Sequence, residues 1–289
     1  MENLGNPNKT LELIKSHDFS IQKKYGQNFL IDANVLSSIV SAAGITEDDI
    51  VLEIGPGLGA LTEYLLQAAK HVIAVEVDKM LIPILKENFK DYENFTLIND
   101  DILKVDIGEL IASVSGGSGA KVKVVANLPY YITTPIVMEL LEKQHEIDSI
   151  TVMIQKEVAV RMQEGPGSKA YGALSLAVQF YSRPEVVMIV SKNCFIPKPD
   201  VDSAVIKLDI FKEEERPVKA KDEGKMFDII RAAFNQRRKT LVNALGNAQN
   251  LNWSKEQVAE ALVKMGKSET IRGEALSLSD FAELSDILA

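Results

Sequence analysis

From about residue 46 to residue 210, apolar positions along the chain follow two alternating rhythms. Short Val- and Ile-rich runs read as strands: "DIVLEIG" (49–55), "HVIAVEVD" (71–78), "FTLIND" (95–100), "KVKVVAN" (121–127) and "SITVMIQ" (149–155). Stretches with apolar residues at helical spacing, such as "LGALTEYLLQAA" (58–69), separate most of them. That alternation predicts a doubly wound α/β fold, with a mostly parallel sheet covered on both faces. "PEVVMIV" (184–190) and "DSAVIKLDI" (202–210) leave no room for a long crossover helix and are expected as an antiparallel pair at one edge. "KEEERPVKA" (212–220) is charged, contains Pro and has no period, so it reads as a linker. Beyond it every pattern is helical: "MFDIIRAAF", then "SKEQVAEALVKMG" with Ser254 and Gln257 at capping-box spacing, then "SLSDFAELSDIL". The expected organisation is an α/β core over 46–211, a linker over 212–220 and a small α-helical domain over 221–289.

Composition bounds this picture without changing it. A chain of 289 residues, 46% apolar and 25% charged, is long enough for one large α/β domain and a smaller one. No apolar run approaches the roughly 18 residues of a membrane span. The first twenty residues lack the apolar core of a signal peptide, and the one cysteine, Cys194, fits a reducing cytosol. A cytoplasmic location is therefore expected. His17, His71 and His145 are scattered, with no ligand-like spacing, so no metal is expected. The net charge of −9 weighs against a nucleic-acid partner but says nothing about local patches.

The candidate chemistry sits at strand ends. "EIGPGLGALT" (53–62) places Gly55, Gly57 and Gly59 between a strand and a helix, where missing Cβ atoms permit a tight turn and close approach to a ligand. Glu76 closes the next strand and is suited to accept both hydroxyls of a ribose. These features also satisfy a loose dinucleotide pattern. Glu53 tilts the choice, since a carboxylate beside a pyrophosphate is unhelpful, whereas a cofactor bearing a sulfonium and an ammonium tolerates it. Asp101, after the third strand, can accept from the exocyclic amine of an adenine. Together they favour S-adenosylmethionine over NAD. At the end of the fourth strand, "NLPYYITTPI" (127–136) opens with Asn-x-Pro-Tyr. The lone pair of an adenine N6 is delocalised into the ring. The Asn127 side-chain oxygen and the Leu128 carbonyl can each accept one N6–H and so turn that lone pair toward a methyl donor. Pro129 fixes the turn, and Tyr130 offers its face to an extruded base, a stack worth roughly 1–3 kcal/mol. Stacking needs the ring and not the hydroxyl, so Tyr130→Phe is expected to be mild.

With "KKYGQNFL" (23–30), "VEVD", "DDIL", "CFIPKPDVDSAV" (194–205) and "FNQRRKTLVNAL" (234–245), these motifs make the chain resemble the small-subunit (16S-type) ribosomal RNA adenine N6,N6-dimethyltransferases over nearly its whole length. The resemblance implies a seven-stranded Rossmann-like methyltransferase sheet and dimethylation, with S-adenosylmethionine, of two adjacent adenosines in a 3′-terminal hairpin of small-subunit rRNA. It implies a pre-30S particle as partner, no membrane and a monomer. It assigns cofactor contacts to Asn28 and Leu30, in a 1–45 segment contributing to the cofactor site, and to Gly55, Gly57, Glu76, Asp101, Ile102 and Asn127. Asp100 precedes Asp101, and the choice of Asp101 follows the family's spacing to Ile102 and Leu103. The target base is expected between Tyr130 and Phe195. Lys23, Lys24, Arg231, Arg237, Arg238 and Lys239 are the candidate phosphate contacts; the last four fall within nine residues that hold no acid. The alternatives are a 23S-type rRNA adenine methylase, which "FNQRRKTL" and the helical tail fit less well, and an assembly factor acting mainly by binding. An NAD-dependent dehydrogenase lacks an evident hydride-transfer acid.

Overall fold

The computed structural model describes residues 8, 12, 26–115, 122–143 and 146–289. The chain divides into two compact units, Met1–Ala159 with Pro184–Ile210, and Val160–Arg183 with Phe211–Ala289.

The first unit is built on a seven-stranded sheet. Its strands are β2 (Ile50–Ile54), β3 (His71–Val75), β4 (Phe95–Ile98), β5 (Val122–Asn127), β6 (Ile147–Gln155), β7 (Ser182–Val190) and β9 (Ser203–Ile210), in the spatial order β4-β3-β2-β5-β6-β9-β7. The five strands from β4 to β6 run parallel, and β9 lies antiparallel to β6. The two late runs of the sequence are neighbours at one edge, as their short separation requires. All five residues of β2 are buried, the pattern of a central parallel strand. A separate two-stranded ribbon pairs β1 (Phe29–Leu30) with β8 (Phe195–Ile196).

Helices α1 (Ala33–Ala43), α2 (Ala60–Ala68), α3 (Ile82–Asn88), α4 (Ile107–Ser115) and α5 (Thr133–Glu142) complete this unit. Asp32 starts α1 by accepting from the N–H groups of Asn34 and Val35. α2 buries Leu61, Leu65 and Leu66 in a core shared with Val51 and Val72. Full burial of each leucine contributes about 1.5–3 kcal/mol, enough to fix where the helix begins. The glycine loop before it is therefore held against the sheet.

The second unit is helical: α6 (Lys156–Gln163), which the chain shares between the units, then α7 (Ala173–Tyr181), α8 (Glu223–Asn235), α9 (Leu241–Gly246), α10 (Lys255–Lys264) and α11 (Leu278–Leu288). Ser254 and Gln257 form the capping box that their spacing predicts. Residues 160–183, which the sequence pattern leaves in the core, belong to this unit. Nor is 212–220 a loose tether within it. The Arg216 side chain is 6% exposed, lies 5.1 Å from the Phe180 ring centroid and 5.5 Å from that of Tyr181, and pairs with Glu223 at 2.7 Å. Its cation holds the segment onto α7.

Candidate active site at the carboxyl ends of the strands

Four parallel strands deliver their last residues to one cavity of about 380 Å³ in the first unit. It is lined by the glycine loop after β2, Glu76 after β3, Asp100 to Ile102 after β4, and Asn127 to Tyr131 from β5 onward, with residues 26–30 forming another wall. Gly55, Gly57 and Gly59 all adopt positive φ. At Gly57 the requirement is double, because a Cβ would stand 3.2 Å from the Phe29 ring. The Gly57 N–H donates to Glu76 Oε2 at 3.2 Å, while Glu76 Oε1 accepts from the Asp78 N–H at 2.8 Å. The loop thus aims the carboxylate that the sequence marks as a ribose acceptor.

Two buried carboxyls face this cavity. Burial pushes Glu76 up to about 7, against the hydrogen bonds from Asp78 and Gly57. Burial pushes Glu53 up to about 8, opposed by the Thr62 hydroxyl at 2.6 Å and reinforced by the charge of Glu76. Among the described residues lining the cavity none is Lys or Arg. A cationic ligand suits such a wall.

Asn127 ends β5, where its Nδ2 donates to the Asn28 carbonyl at 3.1 Å. With the nitrogen engaged, Oδ1 is the atom left to accept from a ligand. Asn28 in turn donates from its side chain to the Gly26 carbonyl at 3.1 Å. The Leu128 N–H binds the Met153 carbonyl on β6, and the Pro129 carbonyl takes the Thr133 hydroxyl at 3.1 Å. The turn is fastened at each of its first residues. The half-buried Tyr130 ring lines the cavity and shares a 2.8 Å hydrogen bond with the Ser203 hydroxyl.

The family described as ribosomal RNA adenine dimethylase matches residues 18–278. The chain belongs to that family. One relative, ribosomal RNA small subunit methyltransferase A of Lachnoclostridium phytofermentans, is 55% identical over 289 residues, covering all of this chain and 98% of the relative. Among solved structures, a dimethyladenosine transferase from Plasmodium falciparum matches with TM-score 0.72 and 27% identity, covering 89% of this chain and 95% of that one. The 23S rRNA methyltransferase ErmE matches with TM-score 0.68 and 24% identity, covering 90% and 99%, a likeness of fold.

Of the site residues that family membership suggests, Asn28, Leu30, Gly55, Gly57, Glu76, Asp101, Ile102, Asn127, Leu128, Pro129 and Tyr130 all line the cavity. Asp100 lines it too and is exposed, whereas Asp101 is half-buried and accepts from the Leu103 N–H at 3.1 Å. Phe195 does not join them. It is 3% exposed, sits opposite Leu30 in the β1–β8 ribbon, and lies in the apolar core with Phe29, Val190 and Val205. The expectation that it pairs with Tyr130 across the base concerns the RNA-bound enzyme and stands as a proposal.

The basic cluster is also less free than its sequence implies. Arg231 pairs with Asp228 at 2.7 Å, and Arg237 pairs with Glu274 at 2.8 Å while donating to the Ser168 carbonyl. Arg238 and Lys239 are exposed. Lys23 and Lys24, like His17 and His145, lie outside the described residues. Sequence reasoning missed Val77 and Tyr131 on the cavity wall, and Gln27, whose amide donates to Asp78 at 2.8 Å. Gln27 was legible as part of "GQNFL"; Val77 carries no signal beyond its place between Glu76 and Asp78. Among the described residues, no helix is long and apolar enough to cross a membrane, and no group of three or more His, Cys, Asp or Glu could hold a metal.

Proposed function

We propose that this chain transfers methyl groups from S-adenosylmethionine to N6 of two adjacent adenosines in a 3′-terminal hairpin of small-subunit rRNA, giving N6,N6-dimethyladenosine. It acts on a pre-30S particle in the cytoplasm, as a monomer. The observation that carries this reading is Asn127: its nitrogen is committed to Asn28, so its oxygen presents an acceptor at the strand-end cavity.

S-adenosylmethionine supplies an electrophilic methyl group on a sulfonium. The chain's own residues do the rest. Glu53 and Glu76 counter its positive charge, Glu76 holds the ribose hydroxyls, and Asp101 accepts from the adenine amine above Ile102. Tyr130 stacks the extruded target base. Asn127 Oδ1 and the Leu128 carbonyl each accept one N6–H and expose the lone pair. Methyl transfer would leave the C–S electron pair with the cofactor, and the methylated N6 held by Asn127 and Leu128 would give up its proton to water or a carbonyl. No strong general base is required. Arg238 and Lys239 are the phosphate contacts this reading retains, adding salt-dependent affinity without sequence readout.

The test is to map methylated adenosines in both ribosomal subunits of a deletion strain expressing the parental chain or Asn127→Ala. Restoration of two adjacent dimethyladenosines in small-subunit RNA by the parental chain alone is expected. In single turnover, loss of the positioned acceptor lowers the rate by about 100-fold or more, on the scale of other preorganised hydrogen bonds. Methylation confined to large-subunit RNA, or full dimethylation by Asn127→Ala, overturns the proposal.

A further inference from the structure

We propose that Ser203 is a positioning residue that sets where the Tyr130 ring stands in the cavity and, through it, the seat of the target adenine. The inference rests on the functional reading above and adds a residue to it. The Tyr130 and Ser203 hydroxyls lie 2.8 Å apart across 73 residues of chain. Ser203 is fully buried and opens β9, where it pairs with Gln155 at the end of β6. Its neighbour Asp202 is tied on both sides, accepting from the Lys156 N–H through its carbonyl at 3.1 Å and from the Lys192 N–H through its carboxylate at 3.0 Å. Ser203 is therefore a fixed point.

The ring it holds is otherwise less constrained. Hydrogen bonds at Leu128 and Pro129 fix the backbone beside Tyr130 but leave the two side-chain torsions of the tyrosine to be set by its surroundings. A hydrogen bond at the far end of the ring fixes where Oη stands and so restrains the χ1 swing of the whole ring; rotation about χ2 leaves Oη in place. Burial pushes the Tyr130 phenol up, so it keeps its proton at neutral pH and takes part in that bond as a neutral hydroxyl. A stacking surface that tilts moves the N6 of its base away from Asn127. Small misplacements of this kind slow a reaction without abolishing binding. The tyrosine hydroxyl consequently matters, and Tyr130→Phe is not the mild change that stacking alone implies.

The test is a double-mutant cycle with Tyr130→Phe, Ser203→Ala and their combination, read by single-turnover methylation of pre-30S particles, by calorimetry with S-adenosylmethionine, and by fluorescence of particles whose rRNA carries 2-aminopurine at the target position. Each single substitution is expected to slow methyl transfer about 5- to 10-fold, the scale of one hydrogen bond, with cofactor affinity unchanged. The double variant is expected to be no slower than either single one. Quenching of 2-aminopurine by the ring is expected to weaken equally in all three. If Ser203→Ala slows the Tyr130→Phe enzyme by a further equal factor, or leaves quenching at the parental level, the positioning role is overturned. Tyr130→Phe at the parental rate overturns it without depending on how well the serine variant folds. Absence of both quenching and methylation with the parental chain instead overturns the functional reading beneath it.

Discussion

The two ends of β2 treat a buried acid in opposite ways. At the amino end Asp49 is fully buried, and Lys123 reaches it from β5 at 2.8 Å. Burial alone would raise the Asp49 pKa, but hydrogen bonds from Lys123 and from the backbone and hydroxyl of Thr46 outweigh it and hold the carboxyl below its usual range. At the carboxyl end Glu53 and Glu76 lie deeper still, are pushed up to about 8 and about 7, and meet no lysine or arginine on the described cavity wall. The first end is electrically complete. The second lacks such a partner, and the proposed sulfonium and ammonium of S-adenosylmethionine would supply what the fold withholds. A buried acid with its cationic partner belongs to the scaffold; buried acids lacking one mark where a partner arrives.

The sharpest way to break this contrast is to make the two ends alike. Lys123→Met strands Asp49, and breaking a buried pair costs about 3–5 kcal/mol, so chemical denaturation should show a loss of that order with little change in intrinsic cofactor affinity. At the other end, Glu76→Ala should leave the fold intact and weaken S-adenosylmethionine by about 10- to 100-fold, as expected for lost charge-assisted hydrogen bonds. Calorimetry showing unchanged affinity would remove Glu76 from the site.

The pH dependence follows from the same acids. Relative to the ordinary glutamate value of 4.5, Glu53 and Glu76 keep protons in the folded ligand-free chain that the unfolded chain has already released. Their contribution to stability is fully present below pH 4.5 and is lost as pH rises through about 7 to 8. A cationic cofactor favours the charged carboxylates, so its binding should release protons and strengthen as pH rises through the same window. Calorimetry in buffers of different ionisation enthalpy measures that release. The smallest expected effect is that of Glu53→Gln. It keeps an acceptor for Thr62 and removes the buried charge, so stability at pH 8 should rise modestly, its pH slope should flatten, and cofactor affinity should fall. A stability loss at pH 8 equal to that of Lys123→Met would erase the contrast.

Residues whose signal is local were legible in the sequence. Gly55, Gly57, Glu76, Asp101 and Asn127 each follow or end a strand that its own apolar run announces, and a parallel sheet gathers those ends at one lip. Long-range pairing was not legible. Phe195 sits beside a proline-rich loop that suggests exposure, yet its register opposite Leu30 turns it into the core. Arg237 finds Glu274 from 37 residues away, which no local pattern shows. Asp228, three residues before Arg231, was in plain view at a helical spacing. Arg216 was read as linker because charge and proline have no period, whereas its guanidinium covers two aromatic rings of α7.

The β1–β8 ribbon has a consequence for biosynthesis. Residues 26–30 form one wall of the cavity, yet Phe29 and Leu30 take their strand partners from Ile196 and Phe195. A nascent chain that has released the glycine loop, both buried glutamates and Asn127 still has a site open on one side. The strand partners of that wall arrive only when residues 195 and 196 have been made. A chain truncated before that point carries the glycine loop, both buried glutamates and Asn127 but lacks the strand that pairs with Phe29 and Leu30.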